Sequence, residues 1–246
     1  MIITIDSMPC ACEPGEFLLE VAARNGITIP TLCRHDGLSG QGCCRVCIVE
    51  IEVDGRRNIV TACIFPVESE CSVYTNSENI GSQRRMILSL LRSLAPESDD
   101  VARLCEEYKA PLIERFEKKE SGKCILCGLC VKACESLGTG AIATMGRGAL
   151  KIVATPYGEP SVACVGCASC AAVCPTGAIS VMETGSERTI WEKKLPLKPC
   201  KSCGDIMGTH MEHWRAATAL GAEIPTICEK CRKKTAASVM AATYGK

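Results

Sequence analysis

The feature that most constrains this chain is a run of four cysteines written twice. Cys124-Ile-Leu-Cys127-Gly-Leu-Cys130-Val-Lys-Ala-Cys134 recurs 40 residues later as Cys164-Val-Gly-Cys167-Ala-Ser-Cys170-Ala-Ala-Val-Cys174-Pro175. C-x2-C-x2-C-x3-C is the spacing of a bacterial [4Fe–4S] ligand loop. Three closely spaced sulfurs nearly complete one tetrahedral array, and the fourth serves the cluster of the other run. The spacing therefore assigns Cys124, Cys127, Cys130 and Cys174 to one cluster. Cys164, Cys167, Cys170 and Cys134 go to a second. Zinc is the competing reading, but structural zinc sites rarely use this four-cysteine step in tandem. Glu135 stands where the second run has Pro175, which loosens the turn after Cys134 without removing a ligand.

Cysteine makes up 21 of the 246 residues. In a short secreted protein such a density would indicate a disulfide scaffold. Here the C-x-x-C steps suit a metal better than a bridge, and the chain is long enough to bury a core without staples. The start, MIITIDSMPC, lacks a basic n-region and carries Asp6 where a signal sequence would be apolar. No apolar run approaches the ~18 residues of a membrane span. The expectation is a soluble, cytoplasmic protein in a reducing compartment. Lys+Arg and Asp+Glu both number 28, and this zero net charge argues against a general nucleic-acid binder. Large aromatic residues are few, so bound metal is expected to contribute to the fold.

The chain divides by pattern into four segments. Residues 1–75 read as strands around one short helix. MIITID begins a strand, Phe17 to Asn25 is a helix with Phe17, Leu18 and Val21 on its apolar face, and Gly26 ends it. Arg45 to Glu52 alternates apolar and polar residues, Asp54-Gly55 turns, and Ile59 to Phe65 returns. Residues 76–120 read as a helical connector. Ile87, Leu90, Leu91 and Leu94 make one helical stripe, which Pro96 ends. Ser98-Asp99-Asp100 caps a second stripe of Val101, Leu104, Cys105 and Tyr108, which ends by Pro111. Residues 121–185 hold the cysteine repeat, each copy followed by Gly-Ala-Ile (140–142 and 177–179). Residues 186–199 read as a charged linker into a C-terminal segment, 186–246, with two more C-x-x-C pairs. Gly138-Thr-Gly140-Ala-Ile-Ala143 mimics a dinucleotide fingerprint, but it lies inside the repeat with no βαβ unit around it.

A second set of cysteines is Cys33, Cys44, Cys47 and Cys63. The first gap of ten residues is not the plant-type spacing. The stretch Cys33-Arg-His-Asp-Gly-Leu-Ser-Gly-Gln-Gly-Cys-Cys44-Arg-Val-Cys47-Ile-Val-Glu50, followed by Thr61-Ala62-Cys63-Ile-Phe-Pro66, resembles another family. It is similar to the N-terminal [2Fe–2S] domain of the large iron–sulfur subunit of respiratory complex I. Diaphorase iron–sulfur subunits of soluble nickel–iron hydrogenases, and multimeric iron-only hydrogenases, carry the same domain. The resemblance implies a [2Fe–2S] cluster on Cys33, Cys44, Cys47 and Cys63, with Cys43 the variable residue of the Gly42-Cys43-Cys44-Arg45-Val46-Cys47 core. It covers roughly residues 1–75 and 121–185 and fails between them. The connector offers only Cys105 where larger relatives place a cluster with one His and three Cys ligands. Neither a molybdopterin nor an iron-only hydrogenase domain is expected, because too little chain follows. His35 has no matching second histidine for a Rieske-type site and is expected on the surface or beside the cluster.

The last set is Cys200, Cys203, Cys228 and Cys231, two C-x-x-C pairs separated by 24 residues. Cys203 is followed by Gly204, the tight knuckle that tetrahedral Zn²⁺ prefers; a third [4Fe–4S] cluster is the alternative. His210 and His213 lie between the pairs and are expected to serve a helix rather than a metal. Cys10, Cys12, Cys43, Cys71 and Cys105 remain as small buried residues or free thiols.

The expected fold is thus α+β. A β-grasp [2Fe–2S] ferredoxin domain, a helical connector, a two-cluster bacterial-type ferredoxin domain and a small C-terminal metal-binding domain follow in order. The resemblance implies an electron-transfer subunit of a hetero-oligomeric, soluble NAD(P)-linked oxidoreductase. Its partners would be an NAD(P)H-oxidising flavoprotein and a hydrogenase or formate dehydrogenase subunit, or ferredoxin; some complexes of this kind bifurcate electrons. A free-standing polyferredoxin is the alternative. No nucleophile elbow, P-loop or substrate site is legible, so no catalytic residue is assigned.

Overall fold

The computed structural model describes residues 1–115 and 122–244; the expected boundary at 120/121 lies outside the described residues. The N-terminal sheet grows from two tight turns. β1 (Ile2–Ile5) and β2 (Met8–Ala11) pair antiparallel through Asp6-Ser7, both at positive φ. β3 (Glu16–Phe17) leads into α1 (Leu18–Arg24), which buries Leu18, Leu19, Val21 and Ala22. Phe17, expected on the apolar face, caps the helix from outside and is exposed. β4 (Ile48–Val53) and β5 (Arg56–Thr61) form the expected hairpin. Its turn holds Asp54 at φ 50° and Gly55 at φ 73°, the left-handed pair that matches strand twist and that glycine adopts without strain. β6 (Pro66–Val67) pairs with β3, and β7 (Ser72–Tyr74) enters between β1 and β4. The sheet order is β2-β1-β7-β4-β5, with β7 parallel to β1. Ile3, Ile5, Leu18, Val21, Val49 and Val73 fill its core.

Two helices connect this sheet to the repeat. α2 (Glu78–Leu94) is capped by the Ser77 hydroxyl, and α3 (Asp99–Glu107) by Ser98, the second as the sequence indicates. The buried face of α2 differs from the expected stripe. Ile80, Arg84, Leu88 and Leu91 are buried, while Leu90 is 48% exposed. The helix starts earlier than the apolar run, and its face is set by Arg84, a charge that no hydrophobic pattern selects. α3 follows expectation: Val101 and Leu104 are buried, with Cys105 and Tyr108 packed alongside.

The repeat folds as two loop-and-helix units. α4 (Leu129–Ser136) begins just before the third cysteine of the first run, Cys130, and α5 (Ser169–Ala172) just before that of the second, Cys170. α5 is half as long because Pro175 cannot continue a helix, whereas Glu135 can. Between them lie β8 (Ala143–Met145) and β9 (Ile152–Ala154), an antiparallel pair.

The charged linker expected over 186–199 is instead sheet. β10 (Val181–Glu183), β11 (Glu187–Ile190), β12 (Lys193–Pro199) and β13 (Ile206–Thr209) form a four-stranded antiparallel sheet. Ile190, Leu195 and Leu197 are buried beneath it. Charges on the exposed face obscured this alternation, and the Trp191-Glu192 turn, at φ 50° and 60°, carries none of the usual turn residues. The expected division at 185/186 falls in the turn between β10 and β11. α6 (His210–Leu220), entered through a Thr209–Glu212 capping box, and α7 (Glu229–Tyr244) complete the fold.

Burial, not apolar periodicity, defines the face of α2. Leu88→Ala is expected to destabilise the protein by about 2–5 kcal/mol. Leu90→Ala should stay within about 0.5 kcal/mol. Chemical denaturation followed by circular dichroism measures both.

Candidate iron–sulfur and metal sites

The backbone repeats itself at the two cysteine loops. Leu126 and Gly166 occupy the same step of their runs, at φ 55° and 75°; Gly128 and Ala168 do likewise, at 80° and 59°. Successive left-handed residues curl each loop so that three sulfurs turn toward one point. At Gly166, with φ 75°, an added Cβ would sit 2.9 Å from both Leu195 Cδ1 and Thr209 Cγ2, so any other residue would have to displace these side chains.

Each loop lines its own cavity, and the fourth cysteine comes from the opposite run. Cys124, Cys127 and Cys130 share a cavity with Cys174. Cys164, Cys167 and Cys170 share one with Cys134. This is the crossed grouping that the spacing predicts. Both fourth cysteines receive matching hydrogen bonds: the Ala141 amide donates to Cys134 Sγ at 3.2 Å, and the Ala178 amide to Cys174 Sγ at 3.3 Å. A threonine hydroxyl stands beside each, Thr139 at 3.0 Å and Thr176 at 3.7 Å. Amide donors to sulfur are what thiolate ligands of a cluster require, so the donor sets fit two four-sulfur clusters. Burial pushes the Cys127 and Cys130 thiols up to about 12. Such groups stay protonated at neutral pH unless a cation replaces the proton.

Cys33, Cys44, Cys47 and Cys63 also converge. The Cys44 amide lies 3.4 Å from Cys33 Sγ. Cys33 Sγ is in hydrogen-bonding contact with the Cys44 and Cys63 sulfurs, and Cys63 with Cys47. The Cys44 thiol is pushed up, first by sharing its proton with Cys33 and then by burial. Cys47 is pulled down, chiefly by the Cys63 thiol. Cys43 points to solvent as a free thiol, in keeping with its expected exclusion. His35 is exposed, its Nδ1 accepting from the Gly37 amide.

At the C-terminal end the Cys200, Cys203, Cys228 and Cys231 sulfurs all lie within 4.8 Å of one another. The Cys228 amide donates to Cys200 Sγ at 3.2 Å and leads in lowering the Cys200 thiol to about 6. The Asp205 amide pulls Cys203 down, but burial and shared protons with Cys231, Cys200 and Cys228 push it further, up to about 12. Four thiols that cannot ionise together are the donor set of a tetrahedral metal. His213 is turned away, its Nε2 3.1 Å from the Met207 carbonyl, and His210 is exposed.

Three residues near these sites escaped sequence reading. Arg84 is fully buried beside Cys47 of the Cys33, Cys44, Cys47 and Cys63 set, donating to the Val46 and Ile48 carbonyls. Lys193 donates to the carbonyls of Ser161, Val162 and Cys164 at 2.9, 3.0 and 2.7 Å. Trp191 lines both [4Fe–4S] cavities. The signal for Arg84 was available: it lies four residues from both Ile80 and Leu88.

Comparison with known proteins agrees with this geometry. Residues 1–78 match the 2Fe-2S iron-sulfur cluster binding domain, and residues 123–178 match the 4Fe-4S dicluster domain. The chain is 34% identical over 224 residues to the NADP-reducing hydrogenase subunit HndD of Solidesulfovibrio fructosivorans, covering 78% of this chain and 37% of that one. This chain is an iron–sulfur protein homologous to subunits of NAD(P)-linked hydrogenases and complex I-like oxidoreductases. Another relative is the NADPH-Fe(3+) oxidoreductase subunit alpha of Geobacter sulfurreducens, at 35% identity over 72% of this chain and 24% of the relative. A third is the mitochondrial NADH-ubiquinone oxidoreductase 78 kDa subunit of Candida albicans, at 26% identity over 78% of this chain and 30% of the relative. The chain thus spans between about a quarter and two fifths of these relatives' lengths. Among solved structures, an NAD+-reducing [NiFe]-hydrogenase in the H2-reduced state superposes with a TM-score of 0.60 and 26% identity, covering 72% of this chain and 85% of that one. No described helix is long and apolar enough to cross a membrane.

Anaerobically purified protein is expected to carry about ten irons per chain with zinc at the C-terminal site, or about fourteen with a third [4Fe–4S] there. Elemental analysis giving six or fewer in fully loaded protein would overturn the three-cluster arrangement. Cys44→Ser should abolish the [2Fe–2S] signal in electron paramagnetic resonance, whereas Cys43→Ser should leave it unchanged; the reverse would show a one-residue error in register.

Proposed function

We propose that this chain is the electron-transfer subunit of a hetero-oligomeric, cytoplasmic NAD(P)-linked oxidoreductase. It would relay single electrons between an NAD(P)H-oxidising flavoprotein and a hydrogenase or formate dehydrogenase subunit, or ferredoxin. The ligands proposed are Cys33, Cys44, Cys47 and Cys63 for a [2Fe–2S] cluster. Cys124, Cys127, Cys130 and Cys174 hold one [4Fe–4S], and Cys164, Cys167, Cys170 and Cys134 the other. Cys200, Cys203, Cys228 and Cys231 take structural zinc, with a third [4Fe–4S] as the alternative. Bound clusters supply one-electron steps with little geometric change.

The observation that carries this reading is that the sulfur sets interlock in sequence. Cys33 and Cys44 lie in the same buried core as Cys127, and Cys130 lies in the same core as Cys164 and Cys170. Gln41, from the loop between Cys33 and Cys44, reaches within 3.6 Å of where a Gly128 side chain would begin. The connector helices seal the first junction with Leu88, Leu91, Val101 and Leu104. These residues are buried in one core with cysteines of both sets. A free-standing carrier does not require such a chain of junctions; a subunit joining two partners does. The same arrangement serves a bifurcating complex, in which the flavoprotein divides an electron pair between two acceptors.

Isolated, reconstituted protein is expected to be reduced by a strong one-electron donor, yet to show no NAD(P)H oxidation with an artificial acceptor, since dividing a hydride into single electrons needs a flavin. Adding the flavoprotein should restore NAD(P)H-dependent reduction, followed by visible absorbance. Cys47→Ser or Cys167→Ser should block delivery to the far acceptor and spare the flavoprotein's own reaction with artificial acceptors. NAD(P)H oxidation by the flavin-free chain alone would defeat the proposal.

A further inference from the structure

Among the described residues Arg84 is the largest fully buried side chain, at 0% exposure. Four of its five donors are used. Nε donates to the Val46 carbonyl at 3.1 Å, Nη2 to the Ile48 carbonyl at 2.7 Å and to the Thr75 carbonyl at 3.1 Å, and Nη1 to Asn76 Oδ1 at 3.1 Å. The Tyr108 ring covers the guanidinium at 5.2 Å. Every acceptor is neutral, and among the described residues no carboxylate lies within ion-pair distance of it. A cation sealed from water is costly unless an anion opposes it. A structural clamp alone would not need the charge, because neutral amide side chains also donate to carbonyls.

The placement of the bonds identifies the missing anion. Val46 and Ile48 flank Cys47, so the guanidinium grips the backbone on both sides of that one residue. Cys47 is itself fully buried, in contact with Cys63. Four thiolates around two ferric ions and two sulfides carry a net charge of −2, and one-electron reduction makes it −3. We propose that Arg84 is the counter-cation of the [2Fe–2S] site, placed by α2 to favour its reduced state and so to raise its reduction potential relative to the same site without the charge. The inference rests on the [2Fe–2S] reading of Cys33, Cys44, Cys47 and Cys63. The electron comes from the reductant, no bond forms or breaks, and no proton is required.

The competing role is purely structural, since Arg84 also ties the connector to β4 and to the segment after β7. Two variants of the holoprotein separate the roles. Arg84→Met keeps the length and removes the charge; Arg84→Lys keeps the charge and loses the planar fork. A redox titration of the [2Fe–2S] signal by electron paramagnetic resonance is the readout, with the [4Fe–4S] signals as internal reference. Arg84→Met is expected to lower the ratio of reduced to oxidised [2Fe–2S] at a fixed poise by about tenfold or more, a shift of about 59 mV for one electron. Arg84→Lys should stay within about threefold of wild type, and the [4Fe–4S] signals should not move in either. An Arg84→Met protein that keeps its [2Fe–2S] signal at an unshifted potential overturns the inference. Should Arg84→Met fail to fold, the lysine variant decides: retention near the wild-type potential supports the charge role, and loss of the cluster as complete as in Arg84→Met overturns it. A wild-type protein without a [2Fe–2S] signal would instead defeat the underlying site assignment.

Discussion

The fold depends on sulfur atoms being brought together, many of them buried from water. Buried thiols such as Cys127 and Cys130 resist ionisation, and neighbouring thiolates repel one another. Only a multivalent cation or a metal cluster turns such a set from a liability into a cross-link. The protein therefore invests its special geometry at these points: left-handed residues at Leu126, Gly128, Gly166 and Ala168, and amide donors at Ala141 and Ala178. Ordinary hydrophobic packing fills the space between them.

The cores are organised around the sulfur sets rather than beside them. Each contains cysteines from at least one set, and the cores at the two junctions each join cysteines of two sets. Cations from outside the ligand loops approach two of the sets, Arg84 from α2 and Lys193 from β12, each by donating to backbone carbonyls at or next to a ligand position. In both places the chain lends positive charge where thiolates concentrate negative charge.

Much of this was legible in the sequence, and what was not has identifiable causes. Ligand spacing is a local property, so the two cysteine runs could be read directly, and Asp54-Gly55 announced its hairpin. The strands over 187–199 were hidden because their outward faces are charged and their turn uses Trp191-Glu192. The face of α2 was misplaced because its centre is an arginine, and hydrophobic periodicity cannot see a charge whose partner lies on another segment. Phe17 was misassigned for a related reason: it closes a two-residue strand, β3, too short to leave a periodic trace.

Trp191 lines both [4Fe–4S] cavities, yet it belongs to neither half of the repeat; it sits at the tip of the β11–β12 hairpin. The duplication alone would give two equivalent compartments related by the pseudo-twofold of the loops. The indole makes them share a wall, so a change in volume at this position alters both compartments at once. The hairpin continues through β12 and β13 toward Cys200 and the C-terminal thiols. A segment that looks like an appendage along the sequence therefore contributes a wall to both compartments of the repeat.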